Sequence, residues 1–378
     1  MNTQVSTGIS AKSNDEISTV TVEFPQADLD DLRARLERTR FAPSVPGDSW
    51  DYGTPTAYLA DMVERWLGSD GRGFDWRAVE ARINAVPNHL TEIDGQVIHF
   101  VHVPSSNPDA KALLLAHTYP GSFLEFLPMV DSLTDEFHLV IPEMPGFGLS
   151  TPVVDTGWTM KRVAAAYDVL MRRLGYNSYG VHGSDGGAMV GRELALLNPE
   201  GFLGAHVLQL FSFPSGDPSE FEGFGPKEYA ALEHMQWFQS VGGYNAMNGS
   251  RPQTIGAALA DSPVGTLAYS ELFESFGNGT SLVTPEQVIE QATYYWLTNT
   301  YASAARYHYE EAHAEREPEI TQGRIGVAVF KDDFQTIRSL AERDNANIQH
   351  WSEFPEGGHF AALERPDVVA ADLKAFFA

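Results

Sequence analysis

Val181-His182-Gly183-Ser184-Asp185-Gly186-Gly187-Ala188 is the stretch whose reading decides the fold. The residues leading to His182 predict a short strand, and Gly183 to Gly187 have the G-x-nucleophile-x-G spacing of a sharp strand-to-helix elbow. Glycines at the flanks let the chain reverse tightly and let the following helix pack close to the strand, leaving the middle side chain exposed above the sheet. That side chain is a carboxylate, Asp185, where such elbows usually carry serine. A glycine-rich turn with a solvated aspartate has the same five letters, so the surrounding chain must decide.

Upstream, residues 112–116 form a short apolar strand that runs into His117-Thr118-Tyr119-Pro120-Gly121-Ser122. Residues 123–133 read as helix, 137–141 as strand and 159–174 as an amphipathic helix closed by Gly175. Downstream, 189–197 continue the elbow helix and 204–208 make another strand. The sheet pattern resumes at 325–330 and 348–354, and a last helix covers 366–377. Strands alternating with helices at this spacing predict a mostly parallel sheet covered on both faces.

Two regions depart from that rhythm. Residues 17–90 hold a short strand near 17–24 and helices at 26–40, 57–67 and 76–86, a mainly helical extension docked through Trp50, Trp66 and Trp76. A hairpin at 91–103, turning at Asp94-Gly95, follows. Residues 211–320 are rich in aromatic helices with little strand signal, as expected of a helical lid. The expected organisation is a flexible tail (1–16), the N-terminal region (17–90), a first core segment (91–210), the lid (211–320) and a second core segment (321–378).

Composition narrows the chemistry. The 378 residues include no cysteine, which removes thiol nucleophiles and cysteine-ligated metal sites. Lys+Arg 25 against Asp+Glu 51 gives a formal charge of -26, unfavourable for nucleic acid or an anionic membrane. The first residues lack a signal peptide's basic start and apolar run, and no apolar stretch reaches about 18 residues. A cytoplasmic protein is expected. The twelve histidines show no metal-ligand spacing, including the pairs His308/His313 and His99/His102, and no nucleotide fingerprint occurs, so no cofactor or metal is expected.

The order nucleophile (Asp185), acid at a strand end (Asp332 or Asp333), histidine in a late loop (His359) is that of the α/β-hydrolase fold. A carboxylate is poorly matched to ester or amide cleavage, because attack on a carbonyl gives an anhydride. Attack on an sp³ carbon gives an alkyl ester, which a histidine-activated water can hydrolyse. Epoxides and alkyl halides are suitable electrophiles. Backbone N–H groups near Tyr119 and Gly186 are the candidate oxyanion hole, and His117 is expected to be structural. An epoxide also needs a proton donor for its ring oxygen. Tyr244, Tyr269, Tyr294, Tyr295, Tyr301, Tyr307 and Tyr309 in the lid all qualify, and spacing does not choose among them.

From about Thr19 to its end the chain resembles the microsomal-type epoxide hydrolase family, including its soluble bacterial members. The resemblance is carried by Asp75-Trp76-Arg77, Thr91-Glu92-Ile93-Asp94-Gly95 and Ile98-His99-Phe100 near the N-terminus. In the lid it is carried by Gly243-Tyr244, Arg251-Pro252-Gln253-Thr254, residues 259–265 and Tyr295-Trp296-Leu297-Thr298, and near the end by residues 356–362. It implies Asp185 as nucleophile, His359 as the base of the hydrolytic step, Asp333 as its orienting acid (Asp332 after a one-residue slip) and Tyr244 as an activator of the ring oxygen. The expected co-reactant is water, the substrate a small-molecule epoxide, met in detoxification or natural-product synthesis, and a homodimer is an open expectation.

Three departures from the family pattern matter. Thr118 stands where relatives carry glycine in the oxyanion loop, which is expected to alter the loop's backbone angles. Gly186 stands where they carry tryptophan, which is expected to widen the pocket beside Asp185. His308 stands where the second activating tyrosine is expected. Adjacent Tyr309 is turned about 100° away on a helix, and His308 can itself donate, best as imidazolium below about pH 6.5. A non-hydrolytic binding or isomerising member of the family is the alternative. A haloalkane dehalogenase is a weaker one, since Gly186 offers no side chain to a halide.

Overall fold

The computed structural model describes residues 15–68 and 73–378. The expected tail, residues 1–16, lies outside the described residues except for Asp15 and Glu16. Nine strands form one sheet: β1 (Ser18–Val20), β2 (Asn88–Ile93), β3 (Gln96–Val103), β4 (Lys111–Ala116), β5 (Phe137–Pro142), β6 (Tyr179–Gly183), β7 (Phe202–Val207), β8 (Ile325–Phe330) and β9 (Ile348–Phe354). Their order across the sheet is β1-β2-β3-β5-β4-β6-β7-β8-β9. From β5 to β9 every neighbouring pair is parallel, whereas β1, β2 and β3 are antiparallel additions at one edge. This is the α/β-hydrolase arrangement expected from the strand-helix alternation.

The chain runs from β4 outward to β5, then crosses back over β4 to β6. Loops leaving β4 and β6 therefore diverge at a topological switch point, where open parallel sheets bind ligands. The loop after β4 carries Tyr119, and the turn after β6 carries Asp185.

Helices supply the two covering layers, the extension and the lid. The extension contributes α1 (Gln26–Glu37), α2 (Thr56–Leu67) and α3 (Trp76–Asn84), after which come α4 (Val130–Leu133), α5 (Met160–Arg173) and α6 (Gly186–Leu197). The lid comprises α7 (Pro226–Val241), α8 (Gly243–Ser250), α9 (Pro252–Leu259), α10 (Pro263–Tyr269), α11 (Pro285–Thr298) and α12 (Tyr301–His313). The chain closes with α13 (Arg338–Asp344), α14 (Ala361–Glu364) and α15 (Pro366–Phe377). Residues 123–129, expected to be α-helical, form a 3₁₀ segment with Pro128 inside it, whose ring clashes with the carbonyl four residues back in an α-helix and disfavours α geometry in the residue before it.

Side chains alternate across β6 and β7. Val181, Ala205 and Val207 face α6, while His182 and His206 face the opposite layer, where α15 packs. Trp66 and Trp76 are buried, and Trp50 packs over Gly277, so the extension is fastened to the body and the lid. Arg35 on α1 pairs with Asp261 of the lid at 2.8 Å.

Candidate active site

Asp185 stands at the elbow with φ 49° and ψ -117°, a left-handed conformation that a side chain rarely tolerates. The flanking glycines explain how the turn is reached. A Cβ on Gly187 would lie 1.9 Å from the Ala116 carbonyl oxygen, and one on Gly183 would lie 2.1 Å from the Gly187 oxygen. The backbone is thus pressed against β4, and Gly187 N–H donates to the His117 carbonyl at 3.1 Å.

One carboxylate oxygen of Asp185 is held from two sides. The Tyr119 N–H donates to Oδ2 at 3.0 Å, and the Tyr307 phenol donates to the same atom at 3.3 Å. Of the two backbone donors expected, Tyr119 is in contact, while the Gly186 N–H has no acceptor among the described residues. Oδ1 has no hydrogen-bond partner there either.

Asp333, three residues past β8, is buried and accepts from His359 Nδ1–H at 2.9 Å. Asp332 has no hydrogen bond or ion pair to that imidazole among the described residues, and its backbone N–H donates to the Gly357 carbonyl. The opposite nitrogen, His359 Nε2, is buried without a partner in the cavity that Asp185 lines. Burial disfavours the imidazolium, but the field and hydrogen bond of Asp333, with further contributions from Asp185 and Glu125, carry His359 up to about 9. Gln209, which sequence reading missed, joins the halves. Its Oε1 accepts from Asp185 N–H at 2.5 Å, and its Nε2 donates to Asp333 Oδ2. A lone glutamine two residues past a strand carries no sequence signal.

The lid tyrosines sort themselves by what their hydroxyls touch. Tyr294 donates to Glu143, Tyr295 to the Gly121 carbonyl and Tyr269 to Asn248, while Tyr301 pairs with Ser270. Tyr309 is 39% exposed, as its place on α12 requires. Only Tyr244 and Tyr307 line the cavity with Asp185. Tyr244, second residue of α8, stacks on Tyr119 with centroids 5.9 Å apart and meets His308 edge-on at 5.9 Å. His308 faces the cavity, and its Nδ1 is buried without a partner. Desolvation pushes its imidazole down to about 4, against a smaller opposing pull from Asp185. The imidazolium route expected near pH 6.5 is therefore corrected: His308 is neutral at neutral pH.

Two more departures have structural outcomes that differ from expectation. Gly186 does not widen the cavity. The position its Cβ would take is 3.4 Å from the Met144 methyl, 3.5 Å from the Met160 methyl and 3.7 Å from Tyr307 Cζ. Tyr307 fills the vacated space. Thr118 is not among the residues with positive φ, so it does not strain its loop. Instead its hydroxyl and N–H donate to the two oxygens of buried Glu125, at 2.6 and 3.1 Å. Desolvation, partly offset by these two bonds, raises Glu125 to about 8. His117 is structural, its Nε2 accepting from Met144 N–H at 3.1 Å.

The cavity holds about 740 Å³ and is walled away from the polar site by Met189, Phe211, Met235 and Phe238. On the opposite face of the sheet lies a second polar cluster. His206 Nε2 and His350 Nε2 each meet Asp372 at 2.8 Å, and His182 Nδ1 meets His206 Nδ1 at 2.9 Å. These three ligand-bearing residues, His206, His350 and Asp372, form the one group among the described residues close enough to hold a metal ion, and direct hydrogen bonds already join them.

Fold and site together define an α/β-hydrolase with a carboxylate at the nucleophile position. Comparison with known proteins places the chain more narrowly. Residues 17–126 match the family model for the epoxide hydrolase N terminus, and 111–240 match that for the alpha/beta hydrolase fold. A protein of Stigmatella aurantiaca whose name gives epoxide hydrolase as its inferred activity is 37% identical, over 94% of this chain and 83% of its own length. The Aspergillus niger epoxide hydrolase structure superimposes with a TM-score of 0.83 at 30% identity, covering 96% of each chain. Juvenile hormone epoxide hydrolase of Bombyx mori gives 0.87 at 26% identity, over 96% of this chain and 94% of that one. The chain belongs to the microsomal-type epoxide hydrolase family. No helix among the described residues is long and apolar enough to cross a membrane.

Proposed function

We propose that the chain hydrolyses a bulky epoxide to a vicinal diol through an alkyl ester on Asp185. The observation that carries this reading is the shared cavity. Asp185 Oδ2 is anchored by the Tyr119 N–H, the unpartnered His359 Nε2 opens on the same space, and the Tyr244 phenol lines it too.

Asp185 Oδ1 attacks one ring carbon as the carbon–oxygen bond of the ring breaks, and Tyr244 gives its proton to the departing ring oxygen. The neutral His308 contributes a second N–H to that oxygen, as uncharged imidazoles do where a cation is too costly. The His359 imidazolium, favoured in the resting site, restores the phenol's proton and becomes a neutral base. Water then attacks the ester carbonyl of Asp185, passing one proton to His359, whose tautomer Asp333 fixes. Collapse expels the second oxygen of the diol, which takes the remaining water proton. Asp185 is again a carboxylate and His359 again an imidazolium. Epoxide plus water has become diol, with no other co-reactant. The volume of about 740 Å³ suits a substrate well beyond the smallest epoxides.

A single turnover in ¹⁸O-water, with enzyme in excess over a panel of epoxides, tests this. Unlabelled diol in the first turnover, absent in Asp185→Ala, is the expected result. Label in the first-turnover diol would mean direct attack by water and end the ester mechanism.

A further inference from the structure

We propose that Tyr307 is a catalytic residue of the second half-reaction, donating its phenolic hydrogen bond to the oxyanion that forms on Asp185 when water attacks the ester. This rests on the ester mechanism above and adds to it a donor that the backbone does not supply.

Asp185 itself provides the argument. Its two carboxylate oxygens are not equivalent. Oδ2 receives the Tyr119 N–H at 3.0 Å and the Tyr307 hydroxyl at 3.3 Å, while Oδ1 has no donor among the described residues. The unencumbered oxygen is the better nucleophile, because no hydrogen bond must break before it attacks. Once Oδ1 is alkylated, Oδ2 becomes the carbonyl oxygen of the ester. Attack of water then concentrates negative charge on that same Oδ2. Donors already aimed there need no reorganisation, which is the condition for effective oxyanion stabilisation.

Tyr307 can reach Oδ2 because of Gly186. A side chain at 186 would begin 3.4 to 3.7 Å from Met144, Met160 and the Tyr307 ring, so anything larger than a methyl group must displace them. The ring is fixed on further sides. It packs against His308 with centroids 3.9 Å apart, edge-on to Tyr119 at 5.8 Å and tilted against Phe147 at 6.2 Å. Tyr307 is 8% exposed, and its hydroxyl stays protonated, since burial and the nearby Asp185 charge both oppose the phenolate. The position is that of a fixed donor. Tyr244 and Tyr307 then divide the work: the first serves the ring oxygen in alkylation, the second serves the carboxyl oxygen in hydrolysis.

The test separates the two half-reactions by rapid-quench single turnovers on an epoxide the wild type hydrolyses, with intact-protein mass spectrometry to count the alkyl ester. Tyr307→Phe keeps the ring and loses the donor. Hydrolysis of its ester should slow by roughly 10²- to 10³-fold, the usual cost of one oxyanion donor. Alkylation should stay within a few-fold of wild type, so the ester accumulates. Tyr244→Phe should do the reverse, slowing alkylation without accumulation. A merely structural tyrosine would not shift this partition. If Tyr307→Phe slows alkylation with no build-up of ester, or leaves both steps unchanged, the assignment is overturned. A wild type that forms neither ester nor diol on any epoxide would defeat the parent mechanism instead.

Discussion

The cavity has two walls built on different principles. One comes from strand ends: Asp185 after β6, Gln209 after β7, Asp333 after β8 and His359 after β9. The other comes from lid helices: Tyr244 on α8 with Tyr307 and His308 on α12. In the first wall each group is held by hydrogen bonds to its neighbour, from Asp185 N–H through Gln209 to Asp333 and on to His359. In the second wall the groups are held by ring packing, and only Tyr307 reaches across to the first. A hydrogen-bonded chain tolerates little substitution, because each member satisfies a buried partner. Stacked rings tolerate exchange of similar shapes, and this wall mixes an imidazole, His308, with its two phenols.

The sharpest break of that comparison is in the strand-end wall. Asp333→Asn preserves shape but removes the charge and the acceptor that fix the His359 tautomer. We expect diol formation to fall on the order of 10⁴-fold, as with the equivalent change in a serine triad. Asp332→Asn should leave turnover within a few-fold of wild type. Comparable losses in both variants, measured as steady-state rates on one epoxide, would show that the hydrogen-bonded pair is not the functional one.

The strand-end wall was largely legible in the sequence because its parts are local. An elbow must bring glycines together at fixed spacing, and a strand must alternate or stay apolar, so Asp185 and His359 could be placed from β6 and the Gly357-Gly358 turn, while the end of β8 left Asp332 and Asp333 both open and only the family resemblance favoured Asp333. Gln209 was not legible, since its role is set by two partners 24 and 124 residues away. The lid wall was half legible. Tyr244 followed from its motif, yet Tyr307 was one of seven tyrosines, distinguished only by a ring that fills the space at Gly186. The same packing explains the error about pocket width. A glycine predicts space only if no neighbour moves in, and two methionines and a tyrosine have done so. His308 lines the cavity, but a desolvated cation costs more than a neutral ring, so burial lowers its imidazole to about 4 and removes the imidazolium that the sequence suggested.

The strand-end wall should also prove the stiffer one when its far side is disturbed. Asp372 ties His206 on β7, His350 on β9 and α15 together beneath the strands that carry Asp185 and Asp333. Asp372→Ala leaves the buried His206 imidazole and the part-buried His350 imidazole without their acceptor and should cost about 3 kcal/mol by denaturant titration. The Asp372 carboxyl is held far below its ordinary range: burial opposes its charge, but the bonds from His206, Ser352 and His350 outweigh burial. Its contribution is thus present above the unfolded value near 3.9 and is lost as pH falls. A variant as stable as wild type at pH 7 would contradict this reading.

A smaller effect is expected from adding bulk at Gly186, where the elbow meets the Tyr307 ring. Gly186→Trp must displace the two methionine methyls and the Tyr307 ring, and should cost about 1–3 kcal/mol of stability through overpacking. If the displaced ring leaves Asp185, this variant should accumulate ester as Tyr307→Phe does. A thermally unchanged variant with unchanged partition would mean that the space at 186 is looser than its contacts suggest.

The smallest expected effect joins the two walls through charge. His359 is carried up to about 9 by Asp333 and, in lesser part, by Asp185, both working against burial. Alkylation of Asp185 removes one of those charges and leaves the other. The imidazole should therefore titrate lower in the ester enzyme than in the resting enzyme, which makes it a better-prepared base at the moment water must be activated. Ester decay in single turnovers should rise with pH and level off below about 9. In Asp185→Asn, which lacks the charge permanently, the His359 ring followed by NMR should likewise titrate below its wild-type value. Stability carries the opposite sign to that of Asp372. The raised histidine contributes fully below its unfolded value near 6.5, and the contribution is lost as pH rises through about 9. If decay levels off only at 9 or above, and Asp185→Asn titrates like wild type, then Asp333 alone sets the imidazole and the nucleophile's charge plays no part in timing the base.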